Sequence, residues 1–165
     1  MNAKKQVVAV LAAGLLGVVY VSSAAATPPS TDPPEASDLV SGPLDGSAGR
    51  HPLRVEQDGV ELTVKQPTTV ATFDLTYEPL EFSGWHSHPG IVVVVVKSGT
   101  VERTTPGKHG HCTTQTFTAG TSFTEVGTHY VANPSATDAA VLSITRIYPT
   151  DATVSRIDQP APDCG

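Results

Sequence analysis

The stretch GWHSHPGIVVVVV at residues 84–96 carries the strongest structural signal in the sequence. It places two histidines, His86 and His88, directly before a run of six β-branched residues at 91–96. A serine and a glycine close the run soon afterwards, so it is too short to be a helix between breakers. The run therefore predicts a strand that is buried on both faces.

The rest of the chain also has strand patterns. Polar and apolar residues alternate with period two at residues 60–65 and 73–77. Further strand-like segments, punctuated by Gly or Pro, lie at residues 113–117, 121–125 and 140–148. No window shows a 3.6-residue apolar stripe, so the sequence predicts an all-β sandwich or barrel.

Composition excludes one class of partner. The 165 residues include 10 Lys+Arg and 16 Asp+Glu, which gives a formal net charge of −6. This balance offers no basic surface for nucleic acid, so we expect no nucleic-acid partner. The sequence also contains no P-loop, no dinucleotide-binding fingerprint and no G-x-S-x-G nucleophile motif.

The first 26 residues have the pattern of a secretory signal peptide. Lys4 and Lys5 precede an almost unbroken apolar run at 6–21, and an Ala-x-Ala pattern at 24–26 indicates a cleavage site. The alternative is an uncleaved signal anchor, which is less favoured because a spanning helix needs about 20 apolar residues. We therefore expect a secreted, extracytoplasmic protein with no membrane segment after cleavage.

Three regions follow the signal peptide assigned to residues 1–26. Residues 27–50 are rich in Pro, Ser and Gly and predict a disordered linker, with a partly ordered arm lying across the barrel as the alternative. Residues 51–150 contain the strand patterns and enough chain for one small core. Residues 151–165 form a C-terminal tail.

The histidines are the main candidates for chemistry. His86 and His88 are two residues apart, so on a strand their side chains face the same side and can chelate one metal ion. A second segment delivers His129 just after a glycine turn. On a strand, the side chain of Trp85 points to the opposite face from that of His86. We interpret both Trp85 and Tyr130 as packing residues.

These segments resemble the two sequence motifs of the cupin superfamily, G-x5-H-x-H-x3,4-E-x6-G and G-x5-P-x-G-x2-H-x3-N. The resemblance extends over residues 69–148, most of the predicted barrel domain. The positions that carry it are His86, His88, Gly99, Gly120, Gly127, His129 and Asn133.

The resemblance implies a fold and a metal site. The fold is a small cupin-type β-barrel, also described as a double-stranded β-helix or jelly roll. The implied metal ligands are His86, His88 and His129. Dimers are common in the superfamily, so a homodimer is expected by analogy alone.

The sequence departs from the motifs where the family has its glutamate ligand. That position falls at Val92 or Val93, and both are valine. Val126 stands near the expected proline, and one residue fewer separates Gly127 from His129. The usual site of three histidines and one glutamate is thereby reduced to three neutral imidazoles.

Glu125 is a candidate replacement for the missing acid. It shares parity with Phe123, a predicted core residue, so its side chain could face inward. A solvent-facing glutamate at a strand end is the preferred interpretation. Three imidazoles with open coordination positions suit a divalent transition metal (Fe, Cu, Ni, Mn or Zn) better than Mg or Ca. The alternative is that the histidines are core residues of a metal-free barrel.

Two classes of function follow from the resemblance. The favoured one is a secreted module that binds a metal or a small-molecule ligand through the three histidines. The alternative is a metal-dependent oxygenase, of the dioxygenase type, that acts on a small organic substrate bound at an open metal position. The apolar strand at 91–96 supplies few acid–base groups, so the sequence leaves the question of catalysis open.

The two cysteines predict a disulfide. An even count in a secreted chain is usually paired. A bridge from Cys112 to Cys164 would close a long loop and pin the tail to the barrel, which the chain-entropy model values at roughly 4 kcal/mol. Because His109, His111 and Cys112 lack a complete tetrahedral set, we interpret them as a loop at the barrel rim.

Overall fold

The computed structural model describes residues 25–30 and 34–164, and it gives them an all-β architecture. This part of the chain contains twelve strands and one short 3-10 turn, Lys108–Gly110. The predicted signal peptide lies outside the described residues, apart from its last two positions. Within the described segments, no helix is long and apolar enough to cross a membrane.

The strands form one large sheet and three smaller ones. In chain order they are β1 Glu35–Pro43, β2 Leu53–Gln57, β3 Val60–Val64, β4 Thr68–Tyr77, β5 His86–Ser87, β6 Ile91–Ser98, β7 Thr100–Pro106, β8 Cys112–Thr118, β9 Ser122–Glu125, β10 Tyr130–Ala132, β11 Ala140–Pro149 and β12 Ile157–Asp158. The large sheet has the order β1-β4-β11-β6-β9, and a three-stranded sheet has the order β10-β7-β8. The pairs β5–β12 and β2–β3 complete the set.

Strand β6 lies at the centre of the core, but only one of its faces is buried. Val92, Val94 and Val96 are at most 1% exposed, whereas Ile91 and Val95 are 46% and 44% exposed. The prediction of burial on both faces is therefore wrong. The reason is that β6 pairs antiparallel with both β9 and β11, and an antiparallel sheet can keep one face in water.

The core lies between the large sheet and the three-stranded sheet. Val101 of β7 and Val131 of β10 are fully buried in the same cluster as Val94 of β6 and Leu142 of β11. All strand pairs among the described residues are antiparallel, and the pairs within the large sheet link strands that are distant in sequence. The predicted fold class, an all-β jelly roll, is confirmed.

Strand β1 departs from the expectation of a disordered linker over residues 27–50. It forms the outer edge of the large sheet and pairs with β4 from Glu35 opposite Thr76 to Pro43 opposite Thr69. Most of its side chains are exposed. Hydrogen bonds to the edge of β4 order this segment through its backbone, so its lack of apolar periodicity did not reveal it. The arrangement agrees with the alternative of an ordered arm.

Strands β2 and β3 form an exposed hairpin apart from the two main sheets. Asp58 and Gly59 connect them, with φ angles of 51° and 81°. Positive φ at both central residues is the requirement of a type I′ turn, which matches the right-handed twist of the strands. The strand predicted at 60–65 is therefore present, but it contributes little to the core.

The C-terminal tail returns across β5. In strand β12, Ile157 pairs with Ser87 and Asp158 pairs with His86. The predicted disulfide between Cys112 and Cys164 is present and spans 52 positions of sequence. The tail is therefore held at one end by covalent linkage and along its length by strand pairing with a segment that carries a candidate ligand.

Candidate metal centre

Two of the candidate histidines are fixed to each other through their backbones. The amide of His86 donates to the carbonyl of His129 at 3.0 Å, and the amide of His129 donates to the carbonyl of His86 at 2.9 Å. This isolated antiparallel bridge joins the β5 segment to the approach of β10. The two halves of the site, which are distant in sequence, are thereby held in register.

All three histidines predicted from the sequence come together. The Nε2 atoms of His86 and His129 are 3.1 Å apart. The ring centroid of His88 lies 4.8 Å from that of His86 and 5.3 Å from that of His129. His86 and His129 are 4% and 1% exposed, so the cluster belongs to the interior of the protein.

Each ring is oriented by a backbone carbonyl at its Nδ1 atom. The distances are 3.0 Å from His86 to the Gly84 oxygen and 2.9 Å from His129 to the Gly127 oxygen. For His88 the partner is the Ser155 oxygen of the tail, at 2.7 Å. A carbonyl oxygen can only accept, so Nδ1 of each ring carries a proton and the Nε2 atom is the one that faces the cluster. This second set of contacts is typical of metal-binding histidines.

Glu125 completes the cluster, and the preferred interpretation of a solvent-facing side chain is wrong. The residue is 8% exposed. Its Oε2 atom lies 3.4 Å from Nε2 of His88 and 3.5 Å from Nε2 of His129. One donor atom from each of His86, His88, Glu125 and His129 lies within 4.8 Å of every other.

The register of β6 and β9 explains why Glu125 faces inward. Glu125 pairs directly with Val92, and Phe123 pairs with Val94. Paired residues project from the same face of a sheet, and Val92 is 1% exposed on the core side. The carboxylate absent at Val92 is therefore supplied by the residue opposite it. The signal in the sequence was that Glu125 lies two residues after Phe123, so the two side chains face the same side of the strand.

Burial and neighbouring side chains shift the pKa values of two members of the cluster, His86 and Glu125. Burial, together with the neighbouring His129, lowers the pKa of His86 from 6.5 to about 3, so this imidazole is neutral near pH 7. Burial alone would raise the pKa of Glu125. The contacts with His129 and His88 outweigh that effect and hold the pKa well below its usual range, so the carboxylate is ionised.

The donor set fits a divalent transition metal. The Nε2 atoms of His86 and His129 face each other, and because both rings are protonated at Nδ1 this contact is repulsive unless a proton or a cation lies between the two nitrogens. Nε2 of His129 also lies beside the ionised carboxylate of Glu125. Donors bound about 2.0–2.2 Å from one metal ion are roughly 3.0–3.5 Å apart. Three of the separations described above lie in that range.

A cavity of about 340 Å³ borders the cluster. His86, His88 and Glu125 line it together with Val92. The N-terminal arm and the C-terminal tail also contribute to its walls, so both ends of the chain enclose the space beside the candidate ligands. Pockets of roughly 300–1,000 Å³ hold small molecules, and this one is at the lower end of that range.

The other sequence candidates have structural roles. Trp85 packs against Tyr130, with ring centroids 5.6 Å apart, and Phe82 stacks on the same tyrosine at 5.7 Å. Cys112 is consumed by the disulfide, so it is not a thiolate ligand. His111 is exposed at the edge of β8, as expected for a rim loop.

Comparisons with known proteins find similarity in structure only. No protein-family model matches the sequence. A comparison with curated proteins also finds no significant match. Among solved structures, an oxalate oxidase matches with a TM-score of 0.45 and 17% identity, over 53% of this chain and 45% of that one.

Two further solved structures match this chain at similar levels. Oxalate decarboxylase from Bacillus subtilis matches with a TM-score of 0.46 and 12% identity, over 54% of this chain and 23% of that one. A cupin 2 conserved barrel domain protein from Salinispora arenicola matches with a TM-score of 0.41 and 18% identity, over 49% and 64%. The chain spans less than two thirds of each of these three proteins. In its two sequence motifs and in the jelly-roll sheets that carry their histidines, this chain resembles the cupin superfamily.

Proposed function

We propose that this protein is a metal-binding module of the cupin type that also accepts a small-molecule ligand. His86, His88, Glu125 and His129 would hold one divalent transition ion, and the ligand would occupy the adjoining cavity. One observation carries the proposal. Three imidazoles, each oriented by a carbonyl at Nδ1, and the carboxylate of Glu125 bring one donor atom each to within 4.8 Å of one another.

The chemistry of the donors narrows the choice of ion. Three imidazole nitrogens and one carboxylate oxygen suit Fe, Cu, Ni, Mn or Zn, whereas Mg and Ca prefer all-oxygen sites. Glu125 would compensate one charge of a divalent ion, and the three neutral histidines would compensate none. A bound ion of this kind would supply Lewis acidity, and with Fe, Cu or Mn also redox chemistry.

Metal analysis of untagged protein tests the proposal. We expect about one transition-metal ion per chain after loading and buffer exchange, and its release by a chelator. His86→Ala and His129→Ala should each abolish stoichiometric binding. His51→Ala should retain it, because His51 is exposed and is not a member of the donor cluster. Wild-type protein without stoichiometric metal, or a His86→Ala variant that binds normally, would refute the proposal.

A metal-dependent oxygenase is the second candidate, favoured by the cavity beside the donor cluster. Tyr77 also lines that cavity, and its phenol could donate a hydrogen bond to a substrate. Burial raises the pKa of Tyr77, so its phenol stays protonated near pH 7 and does not serve as a base. Oxygen uptake by metal-loaded protein with candidate substrates separates the two functions, because a binding module consumes none.

We also propose that the protein is secreted. The Cys112–Cys164 disulfide supports this, because disulfides persist mainly in oxidising compartments. N-terminal sequencing of protein recovered from outside the cytoplasm should find a mature chain that starts at Thr27. Recovery of an unprocessed chain with two free thiols would contradict the proposal.

A further inference from the structure

The cavity beside the donor cluster has one strongly apolar wall. It is formed by the inner face of the large sheet, where β4, β6 and β11 lie side by side. The wall consists of Phe73, Leu75, Val92, Leu142 and Ile144. A ligand that contacts this surface gains free energy by removing apolar area from water, about 25 cal/mol per Å². The wall therefore selects a ligand with an apolar body.

Arg146 is the charged residue at one end of this wall. Its guanidinium lies 5.1 Å from the ring centroid of Phe73 and 5.5 Å from that of Tyr148. Nη1 donates to the carbonyl of Ser155 at 3.3 Å, and Nε is buried with no hydrogen-bond partner. Among the described residues, no carboxylate lies within ion-pair distance of this guanidinium.

Two other arginines, Arg156 and Arg103, have more hydrogen-bond or ion-pair partners than Arg146. Arg156, which also lines the cavity, is paired with Asp158 at 2.6 Å and donates to the Ser83 carbonyl at 2.6 Å. Arg103 lies over two aromatic rings, as Arg146 does, and its Nε is likewise buried without a partner, but both of its Nη atoms are hydrogen bonded. Arg146 has the least-satisfied guanidinium of the three, and it faces a cavity.

The sheet register sets the distance from Arg146 to the donor cluster. Arg146 pairs with Val92, and Val92 pairs with Glu125, so the three residues form one row across β11, β6 and β9 on the same face. Neighbouring strands are 4.7–4.9 Å apart, which places Arg146 roughly 10 Å from Glu125. A small molecule held at Arg146 would therefore reach towards the four donor groups.

We propose that the cavity is a binding site for small carboxylates with an apolar body. The carboxylate pairs with Arg146, and the body packs against Phe73, Leu142 and Ile144. Guanidinium and carboxylate form charge-assisted hydrogen bonds, which are about twice as strong as neutral ones. The inference adds a ligand class to the proposed small-molecule binding. Binding at Arg146 does not require a metal ion.

Titration calorimetry with benzoate as the probe tests this assignment on chelator-treated and on metal-loaded protein. We expect saturable binding of one benzoate per chain in both forms. Benzamide has the same body without the charge and should bind at least 10-fold more weakly. Acetate has the charge without the body and should also bind at least 10-fold more weakly. Equal affinity for benzoate and benzamide, or no benzoate binding at all, would overturn the proposal.

Substitutions at Arg146 locate the binding. Arg146→Gln should weaken benzoate binding at least 10-fold, and Arg146→Lys should recover part of the loss by restoring the charge. Arg103→Gln is the matched control, since it removes an arginine that also lies over two aromatic rings, and it should leave benzoate affinity unchanged. Unchanged affinity in Arg146→Gln overturns the site even if the protein binds metal. Arg146-dependent benzoate binding without metal binding overturns only the metal proposal.

Discussion

At the scale of single residues, the carboxylate of the candidate centre comes from Glu125 of β9, and β6 supplies none. Val92 is one of the two positions, with Val93, at which the cupin motif would place its glutamate, and Glu125 stands opposite Val92 on β9. Both side chains project from the same face, so either strand can deliver an acid to the same point. The two positions are therefore interchangeable in principle for supplying one metal-binding oxygen.

This interchange predicts the behaviour of a swapped pair. Glu125→Val should weaken metal binding by more than about 10-fold, since even the loss of outer-shell partners costs 10- to 100-fold. Adding Val92→Glu to Glu125→Val should restore much of the affinity, because it returns a carboxylate to the same face. Competition with a chelating dye measures both variants.

The control for the swap is Val92→Gln in the same Glu125→Val background. It matches the size of the introduced glutamate and lacks its charge, so it should leave affinity as low as in Glu125→Val alone. If Glu125→Val binds metal as tightly as the wild type, the carboxylate is not a ligand.

His86 makes the stability of the metal-free protein depend on pH. Its pKa is about 3 in the folded chain and 6.5 when unperturbed. Between these values the unfolded chain binds one more proton than the folded chain, so the free energy of unfolding falls as the pH decreases. The slope contributed by this group is up to about 1.4 kcal/mol per pH unit. Glu125 adds a slope of the same sign below its ordinary pKa of 4.5.

Urea unfolding between pH 7.5 and 4.5 measures this dependence in chelator-treated protein. The His86→Gln variant should lose the slope between pH 6.5 and 4.5 that belongs to His86, and it serves as the reference. A free energy of unfolding that falls equally in both proteins across this window would contradict the assignment.

The parts of the site that depend on neighbours in sequence could be predicted, and the parts that depend on pairing between distant strands could not. His86 and His88 share a face by strand geometry alone, so their spacing was sufficient. The inward face of Glu125 depends on the pairing of β9 with β6, which joins residues about thirty positions apart. A local pattern gives parity and not register, so it could not decide between an inward and an outward glutamate.

At the scale of elements, the turn between β5 and β6 is constrained because Gly90 lies close to the backbone of β11. Gly90 has a φ of 89°, and a Cβ atom added there would overlap the carbonyl oxygen of Ile147 in β11. Only glycine meets both conditions without strain. This contact sets the distance between the segment that carries His88 and the large sheet.

Gly90→Ala should therefore destabilise the protein more than an alanine at another left-handed glycine. Gly120 is the matched control, with a φ of 85° and no heavy atom near the added Cβ. Gly120→Ala should cost about 1–2 kcal/mol from backbone strain alone. Gly90→Ala should cost at least about 1 kcal/mol more, because β11 must shift. Equal unfolding free energies for the two variants, measured in urea, would show that the overlap relaxes freely.

Among the strands that the sequence did not predict, β1 and β12 are stabilised mainly by backbone pairing. β1 has mostly exposed side chains and β12 has two residues, so neither shows an apolar period. Both add to existing edges, β1 to β4 and β12 to β5. In contrast, strand patterns at residues 121–125 and 140–148 predicted β9 and β11. Strand β6 was predicted as a strand, but its unbroken apolar run showed no alternation, so its exposed face was not predicted.

At the scale of the whole molecule, the disulfide connects the start of β8 to the tail that pairs with β5 beside the candidate centre. Cys164 ends a tail in which the Ser155 carbonyl accepts from Nδ1 of His88 and the Gln159 amide donates to the Trp85 carbonyl. Ser155 also accepts from Arg146, so one carbonyl contacts both the candidate metal ligand and the proposed anion site. Release of the tail would remove the group that orients His88.

The variant Cys112→Ser/Cys164→Ser tests this link. It should lose up to about 4 kcal/mol of unfolding free energy, because a 52-residue span is freed in the unfolded chain. Metal affinity should also fall, by about 10- to 100-fold, because His88 loses an outer-shell partner. Arg156→Ala provides a control in which the bridge is kept and the tail loses its bond to the Ser83 carbonyl; its effect on metal affinity should be smaller. A double variant that is less stable but binds metal as the wild type does would show that the tail stabilises the barrel without orienting His88.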